Sequence, residues 1–214
     1  MPFRNRAQAA QLLAEGLAEY RGRFPLILAI PRSAVPMGQI IAEVLDGELD
    51  VVLVHRLWAP GSAKVAIGAV DETGYTYLEE ERGRLRLSAA YLAEETQAAL
   101  AVLRGRRALY AAGRPPIEAA GRIVIMVGHS MLSGGSLEAA LHAVRARRPA
   151  KLIAAAAVGS PKTLLQIAAD EAICLEVPDC FYAVEEFFRD FSQVSDAEVA
   201  RILQRSRQRA ASAA

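Results

Sequence analysis

Continuously apolar segments alternate with segments of helical periodicity along most of the chain. The apolar segments are PLILAI, DVVLV, RIVIMV, KLIAAAAV and AICLEV. A strand that is apolar at every position is typical of a strand buried on both faces of a parallel sheet. Between the apolar segments, residues such as Leu137, Leu141 and Val144 recur at helical spacing. The alternation predicts an α/β fold with a doubly wound, mainly parallel sheet flanked by helices.

Turn and capping residues mark where several elements begin. Ser160-Pro161 combines an N-cap serine with a proline at the first helical position. Ser195 and Glu198 form a capping box for the last helix. The segments VAIGAV and YTYL, joined by residues 71–74, predict a β-hairpin. Further helices are expected at about residues 5–20 and 88–106, the first of them before PLILAI.

The chain length predicts one domain over residues 1–214, with an insert at about 65–118 and a C-terminal lid at about 176–194. The longest apolar run, Leu152 to Val158, is too short to cross a bilayer. The first residues, MPFRNRAQ, contain no apolar signal segment, so we expect a cytoplasmic protein without a membrane partner.

Charge and cysteine content restrict the classes of ligand that the sequence favours. The formal net charge is +1, which predicts no bulk attraction to nucleic acid. The arginine-rich C-terminal segment RILQRSRQRAASAA is typical of a solvated helix face, although it leaves a nucleic-acid contact open as the weaker alternative. The two cysteines, Cys174 and Cys180, do not form a C-x-x-C pair, and we assign no metal ligands.

The segment VIMVGHSMLSGGS at residues 124–136 contains two competing patterns. Its first half approaches the G-x-S-x-G elbow of serine hydrolases, but Leu132 replaces the second glycine. The histidine that follows Ser130 is His142, which would lie roughly 18 Å away along a helix at about 1.5 Å per residue. Since a general base must contact the nucleophile, the hydrolase interpretation is disfavoured.

The second half predicts a phosphate-binding loop. A strand, a loop of small residues and a helix aim free backbone N–H groups and the positive end of a helix dipole at an anion. We expect the loop GHSMLSGGS to begin directly after RIVIMV, and an ordinary turn remains the alternative. The candidate phosphate-binding residues are Ser130, Ser133, Gly134, Gly135 and Ser136.

This stretch resembles the ribose-phosphate-binding motif of the type I phosphoribosyltransferases, in which an apolar strand and two adjacent acids precede small-x-x-T-G-x-T. The resemblance extends to FRNR, PRSAVPM, HRLWAPGSAKVAIGAV, GRPP and DFSQVSDAEV, which match a bacterial branch of the family in order and spacing. It implies the type I phosphoribosyltransferase fold. Members of this family bind phosphoribosyl pyrophosphate with Mg²⁺ and transfer its ribosyl phosphate to a nitrogen nucleophile.

The main departure from the family falls on its acidic pair. The residues matching the two acids that bind the ribose hydroxyls are Gly128 and His129, so no catalytic residue is assigned with certainty. Each lost carboxylate–hydroxyl bond removes roughly 1.5–3 kcal/mol. Losing both weakens a ribose complex by a factor on the order of 10²–10⁴. His129 is expected to be either a neutral hydrogen-bonding residue, which we favour, or a pH-dependent anion contact.

Other departures line the implied crevice. In the loop matching the pyrophosphate site, Arg32 precedes Ser33 and Ala34, where the branch has two glycines. Side chains there are unfavourable if the chain needs positive φ or a cis peptide; otherwise the loop is relaxed. The implied crevice residues are His55, Arg56, Trp58 and Lys64. We expect Trp58 at the crevice mouth, because HRLWAP follows a strand at its carboxyl end.

The resemblance and the departures together favour a phosphate or phosphoribosyl ligand with weak or lost transferase activity. The alternative is a non-enzymatic regulatory or binding module that recognises a phosphorylated metabolite or nucleic acid. Mg²⁺ is implied only if transfer occurs, and family members commonly form dimers, which leaves a homodimer open. Aromatic residues in the lid are expected to pack on the sheet, with stacking on an acceptor base as the alternative: Phe181, Tyr182, Phe187, Phe188 and Phe191.

Overall fold

The computed structural model describes residues 3–78, 87–111, 115–131, 136–180 and 183–213, apart from the side chains of residues 63, 64 and 210–213. The strands are β1 (Leu26–Ala29), β2 (Glu48–Val51), β3 (Val54–Ala59), β4 (Ser62–Asp71), β5 (Thr76–Leu78), β6 (Ile123–Met131), β7 (Lys151–Gly159) and β8 (Glu171–Glu176). The helices are α1 (Arg6–Gly16), α2 (Val35–Leu45), α3 (Ala89–Ala111), α4 (Ser136–Ala146), α5 (Pro161–Gln166) and α6 (Asp196–Ala213).

The main sheet has parallel strands in the order β2-β1-β6-β7-β8. Alternate residues of its inner strands point to opposite faces of the sheet, and each face packs in its own hydrophobic core. Ile27 and Ile125 pack with α1, α2 and α6 on one face, whereas Leu28 and Val124 pack with α4 on the other. Burying one such side chain contributes about 1.5–3 kcal/mol. The predicted α/β fold, with helices on both faces of a parallel sheet, is confirmed.

The predicted caps are confirmed where the structure describes them. The Oγ of Ser160 accepts from the backbone N–H of Thr163 at 3.2 Å, and that of Ser195 accepts from Glu198 at 3.2 Å. These bonds satisfy amides that would otherwise be free in the first turns of α5 and α6. No described helix is both long and apolar enough to cross a bilayer.

A second sheet has antiparallel strands in the order β3-β4-β5 and contains the predicted hairpin. The prediction that HRLWAP is a loop is wrong, because residues 54–59 form β3, paired with β4. Leu57 is fully buried between more exposed neighbours. The strand was hidden in the sequence by an irregular register between Leu57 and Ala59, which interrupts the period of two.

Candidate functional site

The candidate site lies at the carboxyl ends of β1 and β6, which are neighbours in the main sheet. The turn at residues 31–34 follows β1, and residues 128–131 form the last part of β6. Helix α4 begins at Ser136, a few residues later. In open α/β sheets, ligands bind outside the carboxyl ends of the strands, so the expected location of the site agrees with the topology.

The structure describes two of the five candidate phosphate-binding residues. Ser130 is half-buried on β6, and Ser136 is the first residue of α4. Ser133, Gly134 and Gly135 lie outside the described residues. Ser136 stands at the positive end of the helix dipole, where a hydroxyl group and the first backbone N–H groups can donate to an anion.

The predicted start of the loop is wrong, because β6 continues beyond Val127 to Met131. Ser130 pairs with Val158 and Met131 with Gly159 of β7. A Cβ at Gly159 would lie 2.9 Å from the Sγ of Cys174 and 3.3 Å from the Cβ of Met131. Glycine at position 159 therefore leaves room for β6 to pair with β7 as far as Met131. Residues 128 and 129, which match the family's two acids, consequently lie on a strand.

Arg56 reaches the start of α4 from the second sheet. Its Nε donates to the Oγ of Ser136 at 3.3 Å, and its side chain is exposed to solvent. Arginine stays protonated and presents several N–H donors in a plane, which suits it to bind phosphate oxygens. The structure thus brings Arg56 and Ser136 together, two residues that are 80 positions apart in the sequence.

Gly128 and His129 contribute no negative charge to the site. Gly128 is buried, and a Cβ added to it would lie 3.0 Å from the backbone oxygen of Ser130. His129 is half-buried, with its ring centroid 6.0 Å from that of Phe191. Burial, reinforced by the positive charge of Arg6, lowers the pKa of His129 to about 4. At neutral pH the ring is therefore uncharged, which favours the neutral hydrogen-bonding role.

The turn after β1 accommodates its side chains without positive φ. The bond between Pro31 and Arg32 is cis. Ala34 has a φ of −85° and is fully buried, and Ser33 is not among the described residues with positive φ. Positive φ, one of the two conditions for an unfavourable effect, is thus absent at Ser33 and Ala34, whereas a cis bond is present before Arg32, so the effect of these side chains on the loop stays a prediction.

The remaining crevice candidates lie on β3 and β4. His55 is half-buried, and burial, together with the charge of Arg106, lowers its pKa. Trp58 is also half-buried. Its backbone N–H donates to Glu95 at 3.1 Å and its carbonyl accepts from Tyr91 at 2.9 Å, both on α3. These bonds tie Trp58 to α3 and do not establish a place at the crevice mouth. The side chain of Lys64 lies outside the described part of the structure.

The sequence does not predict a contact that joins the N-terminal segment to the segment expected to form a lid, residues 176–194. The backbone N–H of Phe3 donates to the carbonyl of Phe187 at 2.7 Å. The ring centroid of Phe188 lies 5.3 Å from that of Phe3 and 4.9 Å from that of Phe191. We call Phe3, Arg6, Phe188 and Phe191 the N-terminal clasp. Phe188 is buried in the core, which supports packing as its role, whereas Phe181 and Tyr182 lie outside the described residues.

Arg6 connects this clasp to the candidate site. Its guanidinium lies 3.7 Å from the ring centroid of Phe191 and donates to the carbonyl of Ser192 at 2.7 Å. The ring of Phe191 also neighbours that of His129. Burial lowers the pKa of Arg6. Arg6 belongs to the motif FRNR and Phe191 to the motif DFSQVSDAEV, and neither motif by itself indicates that the two residues meet.

The described residues do not fit a magnesium ion held by the protein. Mg²⁺ prefers carboxylate oxygens and retained waters in octahedral geometry. The positions of the family's acids hold glycine and histidine, and the described residues contain no group of three or more His, Cys, Asp or Glu that could hold a metal. We therefore derive no step through Mg²⁺ bound to this chain.

Comparisons with known proteins agree with the fold and the motifs. Residues 4–192 match the family described as phosphoribosyl transferase domain. Provisionally named phosphoribosyl transferases from two strains of Mycobacterium tuberculosis are 33% identical over 207 residues. The match covers 95% of this chain and 47% of the mycobacterial proteins, so the chain spans about half of their length.

Solved structures extend the comparison. Protein TT1426 of Thermus thermophilus is 38% identical, with a TM-score of 0.80 over 96% of this chain and 99% of that one. The purine phosphoribosyltransferase of Pyrococcus horikoshii is 14% identical, with a TM-score of 0.50 over 91% and 99% of the two chains. A Neisseria gonorrhoeae protein with bound ppGpp is 10% identical, with a TM-score of 0.50 over 96% and 98%. The last two indicate the shared fold alone.

Proposed function

The chain belongs to the phosphoribosyltransferase family, and we propose that its site binds phosphate or a phosphoribosyl ligand, with transfer of ribosyl phosphate weak or lost. The observation that carries the proposal is the contrast between two adjacent parts of the site. A cation and a hydroxyl group meet at the start of α4, whereas the positions of the family's two acids hold a glycine and an uncharged histidine.

Binding of the phosphate group is supported by three kinds of donor. The N-terminus of α4 supplies backbone N–H groups and a positive dipole end, Ser136 supplies a hydroxyl, and Arg56 supplies a full positive charge. A hydrogen bond to a charged group contributes about 1.5–3 kcal/mol. Because Arg56 is exposed, a ligand can displace its contact with Ser136 without opening the core.

Weak transfer follows from what the ribose would meet. Two carboxylates can accept hydrogen bonds from the ribose 2′- and 3′-hydroxyls and offset the positive charge that develops as pyrophosphate leaves. Gly128 offers no side chain for this, and the neutral ring of His129 offers a single uncharged acceptor nitrogen. The positive charges of Arg6 and Arg56 near His129 oppose a developing cation instead of stabilising it.

The second candidate function is a regulatory or binding module without transferase activity. The site has kept positive charge and lost negative charge, which suits a phosphorylated small molecule. Arg207 at the arginine-rich end donates to buried Asp50 at 3.2 Å and to the carbonyl of Ala111 at 2.9 Å, so it serves the fold. This internal role favours a phosphorylated metabolite over nucleic acid as the ligand.

The test is isothermal titration calorimetry with phosphoribosyl pyrophosphate and with inorganic phosphate, each in Mg²⁺ and in EDTA. The proposal predicts similar binding of both ligands, with little dependence on Mg²⁺, and little or no release of pyrophosphate when purine or pyrimidine bases are added. Tight binding of phosphoribosyl pyrophosphate that requires Mg²⁺, together with ordinary turnover, would contradict the loss of transfer. No binding of either ligand would contradict the phosphate site itself.

A further inference from the structure

A second contact joins the antiparallel sheet to α4, two turns beyond Ser136. The Nδ1 of His142 lies 3.4 Å from the Oδ2 of Asp71, which is fully buried at the end of β4. The ring of Tyr75 stacks on that of His142 at a centroid distance of 3.3 Å and an angle of 13°. This contact lies outside the candidate site, and the proposed function does not use it.

Both oxygens of Asp71 have defined partners. Its Oδ1 accepts from the backbone N–H groups of Thr73 and Tyr75 at 2.8 and 3.1 Å, and from the hydroxyl of Thr73 at 2.6 Å. These bonds hold the turn of the hairpin, so Oδ2 is left to face His142. A buried carboxylate with one oxygen fixed by its own turn is a rigid hydrogen-bond acceptor. Because Asp71 cannot move independently of its turn, a change at His142 on α4 should shift the antiparallel sheet itself.

The pairing of β3 with β4 connects this contact to Arg56. Val54 is opposite Asp71, and Arg56 is opposite Ala69. Arg56 therefore lies two residues along the ladder, about 7 Å at about 3.4 Å per residue. Along α4, His142 follows Ser136 by six residues, about 9 Å at about 1.5 Å per residue. The sheet is thus attached to α4 at two points with similar spacing, Arg56 at one and Asp71 at the other.

We propose that the Asp71–His142 contact sets the register of the antiparallel sheet on α4 and thereby holds Arg56 at the phosphate site. His142 is then a positioning residue, acting through Arg56 and not touching the ligand. The inference rests on the proposed function, because it assigns a role only if Arg56 binds phosphate. Other contacts keep the antiparallel sheet attached. The Nε of Arg107 on α3 donates to Glu72 at 2.9 Å, and the Nη1 of Arg107 lies 3.8 Å from the Oδ1 of Asp50 in β2. Loss of the His142 contact should therefore shift the sheet without unfolding it.

The test is a double-mutant cycle of His142→Phe and Arg56→Ala, with calorimetric titration of inorganic phosphate into the full chain. Phenylalanine keeps a ring for Tyr75 and removes the hydrogen bond to Asp71. We expect His142→Phe to weaken phosphate binding by about three- to tenfold, and by less than about twofold when Arg56 is already alanine. His142→Asn, whose amide nitrogen lies nearly where Nδ1 lies and can still donate to Asp71, should restore most of the affinity.

A matched control comes from the same helix. Arg145 on α4 is exposed to a similar degree as His142 and donates to Asp170 at 2.9 and 3.1 Å, away from the antiparallel sheet. Arg145→Ala should lower Tm and leave phosphate binding unchanged. If His142→Phe does not fold, Asp71→Asn replaces it in the cycle, since asparagine can keep the acceptor for the turn.

The outcomes separate this inference from the function on which it rests. Phosphate binding that depends on Arg56 but not on His142 would overturn the positioning role alone. An equal loss of affinity from His142→Phe with and without Arg56 would also overturn it, because the effect would not pass through Arg56. A wild-type protein that binds no phosphate would overturn the proposed function and the positioning role together.

Discussion

The start of α4 and the end of β6 are adjacent parts of the candidate site, yet they differ in charge, exposure and packing. At α4, the exposed Arg56 donates to the hydroxyl of half-buried Ser136 beside a helix N-terminus. On β6, Gly128 is buried and His129 is half-buried beside the ring of Phe191. The first part offers positive charge and donors, and the second offers neutral, partly apolar surface.

The difference shows which parts of a ligand site belong to the fold and which belong to individual side chains. A strand, a loop of small residues and a helix provide donors from the backbone, so an anion site survives most side-chain changes. Charge-assisted hydrogen bonds to the ribose hydroxyls need two carboxylate side chains at particular positions. Two substitutions are enough to remove these hydrogen bonds. A chain can therefore keep the fold and the phosphate part of the site after losing the part that grips the sugar.

The largest expected effect comes from restoring the acids. Gly128→Asp with His129→Asp should strengthen binding of phosphoribosyl pyrophosphate in Mg²⁺ by a factor on the order of 10²–10⁴, because two charge-assisted hydrogen bonds return. The Cβ at residue 128 would lie 3.0 Å from a backbone oxygen, so a small shift of the strand is needed. Calorimetry measures the gain, and the double asparagine variant controls for size. Equal affinities of the aspartate and asparagine variants would mean that charge at these positions does not limit binding.

The second prediction concerns acid stability and His129. Burial lowers the pKa of His129 to about 4 from its ordinary value of 6.5, so the folded state binds this proton more weakly than the unfolded state. The free energy of unfolding is then unaffected by His129 above about pH 6.5. As the pH falls from there toward 4, protonation of His129 lowers the free energy of unfolding by about 3 kcal/mol in total. Urea unfolding of wild type and His129→Gln at about pH 7 and about pH 4.5 measures this. The glutamine variant should lose less stability on acidification, and an identical loss in both proteins would place the histidine in a solvated environment.

The third prediction isolates the charged part of the site. Arg56→Ala should weaken binding of inorganic phosphate by about ten- to hundredfold, since it removes a hydrogen bond from a charged donor. Arg201→Ala, which removes an exposed arginine on α6, should change the affinity little. Titration of both variants at one ionic strength gives the comparison. A similar small loss in the two variants would show that Arg56 contributes only general positive charge.

The smallest effect tests whether the N-terminal clasp supports the neutral part of the site. Arg6→Ala should lower the free energy of unfolding by about 1–3 kcal/mol, because it removes a charged hydrogen bond to Ser192 and a cation–π contact with Phe191. It should also raise the pKa of His129, since the charge of Arg6 helps to lower it. Arg4→Ala, in the same motif but exposed, is the control for urea unfolding and for NMR titration of the histidine. An unchanged His129 pKa in the folded Arg6 variant would separate the clasp from the site.

Much of the main sheet could be predicted because β1, the first part of β6 and most of β7 are continuously apolar. The caps could be predicted because Ser160 and Ser195 precede suitable first turns. The end of β6 could not, since glycine, histidine and serine at residues 128–130 are typical of a loop, and the ladder depends on room beside Gly159. The second sheet was partly missed because the irregular pairing around Trp58 breaks the period of two.

Some features of the candidate site could likewise be predicted from the sequence, and others depend on how the elements pack. The motif at residues 128–136 predicts the position of the site, and the resemblance pointed to Arg56, but its contact with Ser136 depends on how the antiparallel sheet docks. Contacts such as Asp71 with His142, and Arg6 with Phe191, join residues that are far apart in the chain. No local period or spacing reports them, since they arise from packing between elements.

The ratio of two affinities distinguishes a site that keeps its phosphate part and has lost its ribose part from a site that binds both. Ribose 5-phosphate and glycerol phosphate carry the same anionic group, and the ribose ring adds hydroxyls that an acidic pair would bind. We expect wild type to bind the two ligands within about threefold of each other, and Arg56→Ala to weaken both equally. Binding of ribose 5-phosphate about a hundredfold more tightly than glycerol phosphate would contradict this expectation, because the site would then grip the sugar without its acids.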